Sequence, residues 1–186
     1  MIHIGLPKKF CFISEFDKHH ISNLEKNISI IYRNYSVNYN KEIIQKIRNY
    51  CKKEKRKFFI SNNIRLAINL NLDGVYLPSF NKKLNVNNMN KKKKFLIIGS
   101  AHSIKEIKIK EKQGVKMIFL SPLFKTLKGN KFLGAIKFNL ITLNTNKKII
   151  ALGGINAKNI KKLNIVNSYG FAGITYFQKN NKINFF

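Results

Sequence analysis

Acidic residues are scarce in this chain, and cysteine is nearly absent. Only 8 of the 186 residues are Asp or Glu, so catalysis by a pair of carboxylates has few candidates. The two cysteines, Cys11 and Cys51, cannot build a disulfide framework and form no C-x-x-C motif. We therefore expect a reducing, cytoplasmic setting, with Cys11 as a core residue of the first strand rather than a nucleophile.

Long apolar runs and familiar catalytic motifs are also missing. No uncharged apolar run approaches the roughly 18 residues that a membrane-spanning helix needs. The first residues do not resemble a signal peptide, and there is no Walker loop, G-x-S-x-G or H-E-x-x-H motif. We expect one domain over residues 1–186 with no membrane partner, whereas the oligomeric state stays open.

Positive charge is what the chain has in excess, with 36 Lys and Arg and a formal net charge of +28. A nucleic-acid partner is one interpretation. The other is compositional bias, because Lys, Asn and Ile are abundant everywhere; even the dense run Lys91–Lys94 is typical of a solvated loop. We favour bias and expect no specific nucleic-acid partner, although an anionic substrate would benefit from the field.

Short apolar runs alternate with amphipathic stretches along the whole chain. Several runs are continuously apolar, which is typical of strands buried on both faces of a parallel sheet. This alternation predicts a compact (β/α)8 TIM barrel, with an open α/β sheet as the alternative. The predicted strands are Phe10–Ser14, Ile28–Arg33, Lys57–Ser61, Gly74–Leu77, Phe95–Gly99, Lys116–Ser121, Ile149–Leu152 and Phe171–Tyr176.

The helices of this barrel are predicted with unequal strength. Apolar stripes indicate helices over Glu42–Cys51 and Ser103–Gln113, and Asn156 can cap a third that runs to about Val166. The fourth helix is weak, because Pro78–Lys94 is polar and has little periodicity. The last helix is truncated, since only ten residues follow Tyr176.

Two glycine-bearing strand ends predict a phosphate site. A buried strand runs into Gly153 and Gly154, and the later segment Gly170–Thr175 brings Gly173 to another strand end. Glycines let the backbone approach a ligand, and amides at a following helix start favour anions. The loops after strands seven and eight form such sites in many barrels. The alternative is that these glycines serve only turns and packing.

Two further strand ends carry polar side chains. The loop after Phe119-Leu-Ser-Pro contains Lys125, Thr126 and Lys128, which suit a mobile clamp over a diphosphate. A solvated basic loop is the other interpretation. His102 follows the fifth predicted strand, where it could act as an acid or base or merely pack at the helix start.

Taken in order, these segments resemble the thiamine-phosphate synthase superfamily, which includes the thiazole tautomerases. The resemblance spans about residues 10 to 177. Its most distinctive part is the Ser-Pro-x-Phe-x-Thr segment. The matching stretches are Phe59–Leu77, Gly99–Ser103, Phe119–Thr126 with Leu133-Gly134, and Ile150–Ile155 with Gly170–Ile174.

The resemblance implies a transferase that joins hydroxymethylpyrimidine diphosphate to thiazole phosphate and releases diphosphate. It also implies matching site residues: Arg33, Ser100 and Thr126 on the pyrimidine and diphosphate side, and Gly153, Gly154, Gly173 and Ile174 around the thiazole phosphate. Thr175, at the end of the second glycine-bearing segment, is a further candidate for the phosphate site.

Other positions depart from the family pattern. Ile31 and Tyr35 stand where the family has glutamine and lysine, and Asn62 and Asn81 align with the carboxylates that hold magnesium. The tautomerase branch would place a histidine at Pro122. A tautomerase, a non-catalytic barrel that binds a phosphorylated ligand, and a nucleic-acid binder remain alternatives.

Overall fold

Eight parallel strands close into a barrel in their chain order in the computed structural model of the protein. The structure describes residues 5–35, 40–84, 94–127 and 129–179. Each strand pairs with its sequence neighbours, and β8 closes the ring by pairing with β1. The strands are β1 Lys9–Ile13, β2 Ile28–Tyr32, β3 Phe58–Ser61, β4 Gly74–Leu77, β5 Leu96–Ala101, β6 Met117–Leu120, β7 Lys148–Leu152 and β8 Gly170–Gly173. The predicted barrel is confirmed.

Two separate apolar clusters explain why the strands read as continuous apolar runs. One contains only strand residues and fills the inside of the barrel, where Phe119 makes edge contacts with Phe10, Phe12 and Tyr76. The other combines the opposite faces of the strands with helix residues such as Ile47 and Phe138. Strands buried on both faces must be apolar at nearly every position.

Helices cover the outside of the barrel. The stripe predicted around Ile44, Ile47 and Cys51 is buried against the strands, and Ser103 caps its helix through the Glu106 amide. The helices are α1 Lys18–Ser22, α2 Lys41–Lys53, α3 Ile64–Asn69, α4 Ile104–Lys112, α5 Gly134–Thr142 and α6 Thr175–Lys179, with a 3-10 helix at Ile160–Ile165 between β7 and β8. None of the helices in these ranges is long and apolar enough to cross a membrane.

One predicted strand end and one predicted helix type are wrong. The last strand ends at Gly173 rather than Tyr176, because the carbonyl of Ile174 accepts the amides of Phe177 and Gln178 and so starts a helical turn. Asn156 caps the turn that follows β7, since its Oδ1 accepts the Lys158 amide and its own amide donates to Asn159 Oδ1. This turn leads into the 3-10 helix Ile160–Ile165 rather than into an α-helix.

The connection from β4 to β5 carries no helix in its described part, residues 78–84 and 94–95. The weak fourth helix predicted from Pro78–Lys94 agrees with this, although most of the Lys91–Lys94 run lies outside the described residues. The last helix, α6, has five described residues, in agreement with the predicted truncation.

Candidate functional site

The polar residues predicted from strand ends lie at one rim of the barrel. All eight strands are parallel, so their carboxyl ends meet at the same edge. The residues at this rim are Arg33 after β2, Asn62 after β3, Asn81 after β4, Ser100 and His102 at the end of β5, Lys125 and Thr126 after β6, Gly153 and Gly154 after β7, and Gly173, Ile174 and Thr175 at the end of β8. Lys128 lies outside the described residues.

Arg33 and Ser100 both interact with Tyr76. The Tyr76 side chain is buried at the end of β4, where its phenol interacts with the Ser100 hydroxyl and with the positive charge of Arg33. Burial raises the pKa of Tyr76 to about 12, so the phenol stays protonated. The guanidinium of Arg33 also lies 4.6 Å from the ring centre of Phe12, which orients it over the barrel interior.

Tyr76 is a candidate site residue that the sequence pattern does not predict. The pattern predicts it only as part of the apolar strand Gly74–Leu77. The available signal was its hydroxyl, since a buried tyrosine usually needs a hydrogen-bond partner. Nothing in the sequence pattern identified that partner as Ser100 on the neighbouring strand.

Tyr35, Ser61 and Phe80 form a second cluster on the same rim. The hydroxyl groups of Tyr35 and Ser61 lie 2.8 Å apart, joining the loop after β2 to the end of β3. The ring of Tyr35 meets Phe80 at a centroid distance of 5.6 Å in an edge-to-face arrangement. Partial burial of its hydroxyl beside Ser61 raises the pKa of the Tyr35 phenol, although the rest of the side chain is exposed, so it too is a neutral hydrogen-bonding group.

Asn62 and Asn81 lie side by side, but their oxygens do not form a magnesium site. Asn62 Oδ1 accepts a 2.7 Å hydrogen bond from Asn81 Nδ2, and Asn81 Oδ1 accepts from the Lys83 amide. Within the described ranges no group of three or more His, Cys, Asp or Glu side chains could hold a metal ion. Magnesium in protein sites usually takes one or two carboxylates in addition to substrate phosphates. The donors present therefore do not fit the cation that the resemblance implies.

A buried lysine stands beneath this amide pair. Lys110 on α4 is fully buried and donates to the carbonyl oxygens of Pro78 and Asn81 and to Gln113 Oε1, all within 2.9 Å. Gln113 in turn donates to the carbonyl oxygens of Asn81 and Lys83. Burial lowers the pKa of Lys110 to about 8. These contacts fix the loop after β4 to the outside of the barrel and position Asn81.

His102 joins the ends of β5 and β6. Its Nδ1 lies 2.8 Å from the carbonyl oxygen of Ser121, and its backbone amide donates to Glu106 at the start of α4. The imidazole side chain is otherwise exposed at the rim. This geometry accounts for a packing role, and an acid–base role for His102 stays a prediction.

The loop after β6 is packed onto the glycine pair. The amides of Leu123 and Phe124 donate to the carbonyls of Leu152 and Gly153, which joins this loop to the end of β7. A Cβ atom added to Gly154 would lie 2.4 Å from the carbonyl oxygen of Lys125. The glycine is therefore required for this close approach. The side chain of Lys125 is exposed, and Thr126 is partly buried.

Cys11 and Asp17 have structural roles. Cys11 is fully buried, and burial raises the pKa of its thiol to about 12, so it is a core residue as predicted. Asp17 caps α1 by accepting the amide of His20.

Comparisons with known proteins agree with one another. The family profile described as thiamine monophosphate synthase matches residues 24–177. The chain is 32% identical over 144 residues to a putative thiamine-phosphate synthase 2 of Aquifex aeolicus, covering 73% of this chain and 74% of the relative. It is 33% identical over 150 residues to the thiamine-phosphate synthase of Pelagibacter ubique, covering 78% and 71%. Among solved structures, a thiamine phosphate pyrophosphorylase from Pyrococcus furiosus is similar in fold, with a TM-score of 0.71, 18% identity and coverage of 90% and 85%.

Proposed function

This chain belongs to the thiamine monophosphate synthase family, and we propose that its rim residues join hydroxymethylpyrimidine diphosphate to thiazole phosphate. In this reaction the bond between the pyrimidine methylene carbon and the diphosphate oxygen breaks. Diphosphate leaves with the electron pair, and the thiazole nitrogen captures the methylene cation. Such a reaction needs positioning and stabilisation of the leaving anion more than a strong base.

The observation that carries this proposal is the Arg33–Tyr76–Ser100 connection. Residues from β2, β4 and β5 meet at the rim through one buried phenol. The guanidinium of Arg33 is held over Phe12 and supplies a fixed positive charge where a departing diphosphate would lie. Ser100 offers a hydroxyl within the same network.

We assign the thiazole phosphate to the opposite part of the rim, where β7 and β8 end. Gly153 and Gly154 have no side chain, which lets the backbone after β7 pack closely against the loop after β6. Gly173, Ile174 and Thr175 begin the turn into α6. Backbone amides at such a turn suit a phosphate group. The Asn156 amide is excluded, because it donates to Asn159 Oδ1. The loop with Lys125 and Thr126 lies against the glycine pair and would close over the diphosphate between the two substrates.

Magnesium has no step in this mechanism, because the described amide oxygens do not fit it. The charge that stabilises the leaving group comes from Arg33 and Lys125, in a protein whose net charge is +28. A strongly positive protein also raises the local concentration of anionic substrates.

The test is formation of thiamine phosphate from both precursors by the native protein, with magnesium and with EDTA. Arg33→Ala should lower kcat/KM by about 100-fold or more, because a charge-assisted contact to the leaving group is lost. Arg65→Ala is the matched control, since Arg65 is an exposed arginine on α3. Absence of product from the correctly folded native protein under both conditions would leave a ligand-binding barrel without synthase activity.

A further inference from the structure

Two large aromatic side chains are exposed at the rim of the barrel and contact each other. Tyr35 is 53% exposed and Phe80 is 61% exposed, although their rings lie 5.6 Å apart between centroids. They come from loops after β2 and β4, so the pair spans the end of β3. Single exposed apolar residues are common on protein surfaces, but two in contact at the mouth of a polar site indicate a ligand-binding surface.

The pair is held in place before any ligand binds. The Tyr35 hydroxyl lies 2.8 Å from Ser61 Oγ at the end of β3. Phe80 lies between Pro78 and Asn81, and the carbonyl oxygens of both accept hydrogen bonds from the buried ammonium of Lys110. Anchoring on both sides limits the conformational entropy that binding would otherwise cost.

The surroundings define the ligand chemistry. The edge-to-face geometry, with an interplanar angle of 71°, leaves the pair with exposed ring surface. Arg33 lies close enough to Tyr35 to interact with its hydroxyl electrostatically, and the hydrogen-bonded amides of Asn62 and Asn81 lie at the same rim. A flat ring with polar edges that carries an anionic group would satisfy all three features at once.

We propose that Tyr35 and Phe80 form a stacking surface for the planar heteroaromatic ring of the diphosphate substrate. This inference rests on the proposed function and adds two specificity-determining residues to it. Stacking on an aromatic side chain recognises the ring itself, whereas Arg33 recognises the diphosphate. The two parts of the substrate therefore contribute to affinity through separate residues.

Titration calorimetry with two probes separates these contributions. The probes are hydroxymethylpyrimidine diphosphate and inorganic diphosphate, bound to the native protein and to Phe80→Leu and Tyr35→Leu variants. Each substitution should weaken binding of the pyrimidine diphosphate by about tenfold, which corresponds to about 1.4 kcal/mol. Binding of inorganic diphosphate should change less than about twofold. Phe80→Tyr keeps the ring and should bind both probes like the native protein.

The matched control for loss of an exposed apolar side chain is Leu143→Ala. Leu143 is 75% exposed and follows α5, at the opposite end of the barrel. It should leave both affinities unchanged. Circular dichroism checks the fold of every variant, and agreement between the Tyr35 and Phe80 variants guards against a local folding defect in one of them.

The inference is overturned if both leucine variants bind the two probes as the native protein does, or if they lose both probes equally. It is also overturned if the native protein binds the pyrimidine diphosphate no more tightly than inorganic diphosphate. Formation of thiamine phosphate by the native protein tests the proposed function separately, so failure of the stacking surface and failure of the synthase activity give different results.

Discussion

Replacing Gly154 by alanine tests whether the loop after β6 can pack in its native position only when this residue has no side chain. Gly154 has a φ of +71°, and an added Cβ would lie 2.4 Å from the carbonyl oxygen of Lys125 and 2.5 Å from that of Phe124. The substitution therefore combines two costs. One is the left-handed backbone, which an alanine adopts with a penalty of about 1–2 kcal/mol. The other is overlap with main-chain atoms that cannot rotate away.

Gly134 allows the two costs to be separated. It has a similar φ of +67°, but a Cβ added there meets no atom within 4 Å. Gly134→Ala should therefore lower the free energy of unfolding by only the backbone penalty, about 1–2 kcal/mol. Gly154→Ala should lower it by a further 1–3 kcal/mol or so, which is the usual range when a packed region must accept extra volume.

Urea denaturation of the native protein and both variants measures these differences, and turnover is followed in parallel. Gly154→Ala should also reduce turnover strongly, because relief of the overlap moves Phe124 and Lys125 away from the rim. Gly134→Ala should retain most of the activity. Equal destabilisation by the two substitutions, or native turnover in Gly154→Ala, would refute the argument that this close approach shapes the site.

Three further predictions follow from the charges and amides of the described residues. Asn62→Asp combined with Asn81→Asp should tighten magnesium binding, measured by calorimetry without substrate, because two carboxylate ligands are restored. Unchanged affinity would contradict the alignment of these two positions with the magnesium ligands of the family. Lys110→Met should lose stability, because three buried oxygens lose their donor. The pKa of Lys110 is about 8 in the native state, below that of a lysine in the unfolded chain. As pH rises from about 8 to 10, the native state has lost this proton while the unfolded chain still binds it, so the free energy of unfolding of the native protein should rise relative to that of Lys110→Met. A difference in denaturation midpoints that does not change with pH would contradict the lowered pKa. Duplex DNA should bind weakly, without sequence preference and with a steep salt dependence, and a sequence-specific complex at physiological salt would show that the charge of +28 has a role beyond composition.

The sequence alone was sufficient to predict the barrel. Runs such as Ile28–Tyr32 and Met117–Leu120 are apolar at nearly every position, as strands buried on two faces must be. Their alternation with amphipathic segments indicated parallel connections. Once the strands are parallel, their carboxyl ends must share a rim, so the common location of Arg33, Ser100 and Gly154 followed from strand order without any knowledge of distances.

Local capping signals predicted where helical turns begin better than which type of helix follows. Ser103 caps α4 as its spacing with Glu106 predicted, because that contact lies within four residues of chain. Asn156 also caps its turn, by accepting the Lys158 amide, but the turn continues as the 3-10 helix Ile160–Ile165 and not as an α-helix. Both sequences contain a suitable first residue, and only the three-dimensional arrangement of the following turn distinguishes them.

Contacts between distant parts of the chain were decided by the tertiary structure. Tyr76 reaches both Ser100 and Arg33, Tyr35 reaches Ser61, and Lys110 is enclosed by the loop after β4. The two residues in each of these contacts lie far apart in the chain, not at the regular spacing of one helix or one strand. No sequence pattern could therefore predict that they meet. Closure of the barrel sets which strand ends are neighbours, and burial then requires each polar group to find a partner there. The sequence pattern thus predicts the order of the strands, whereas the contacts between polar side chains at the rim depend on how the closed barrel packs them.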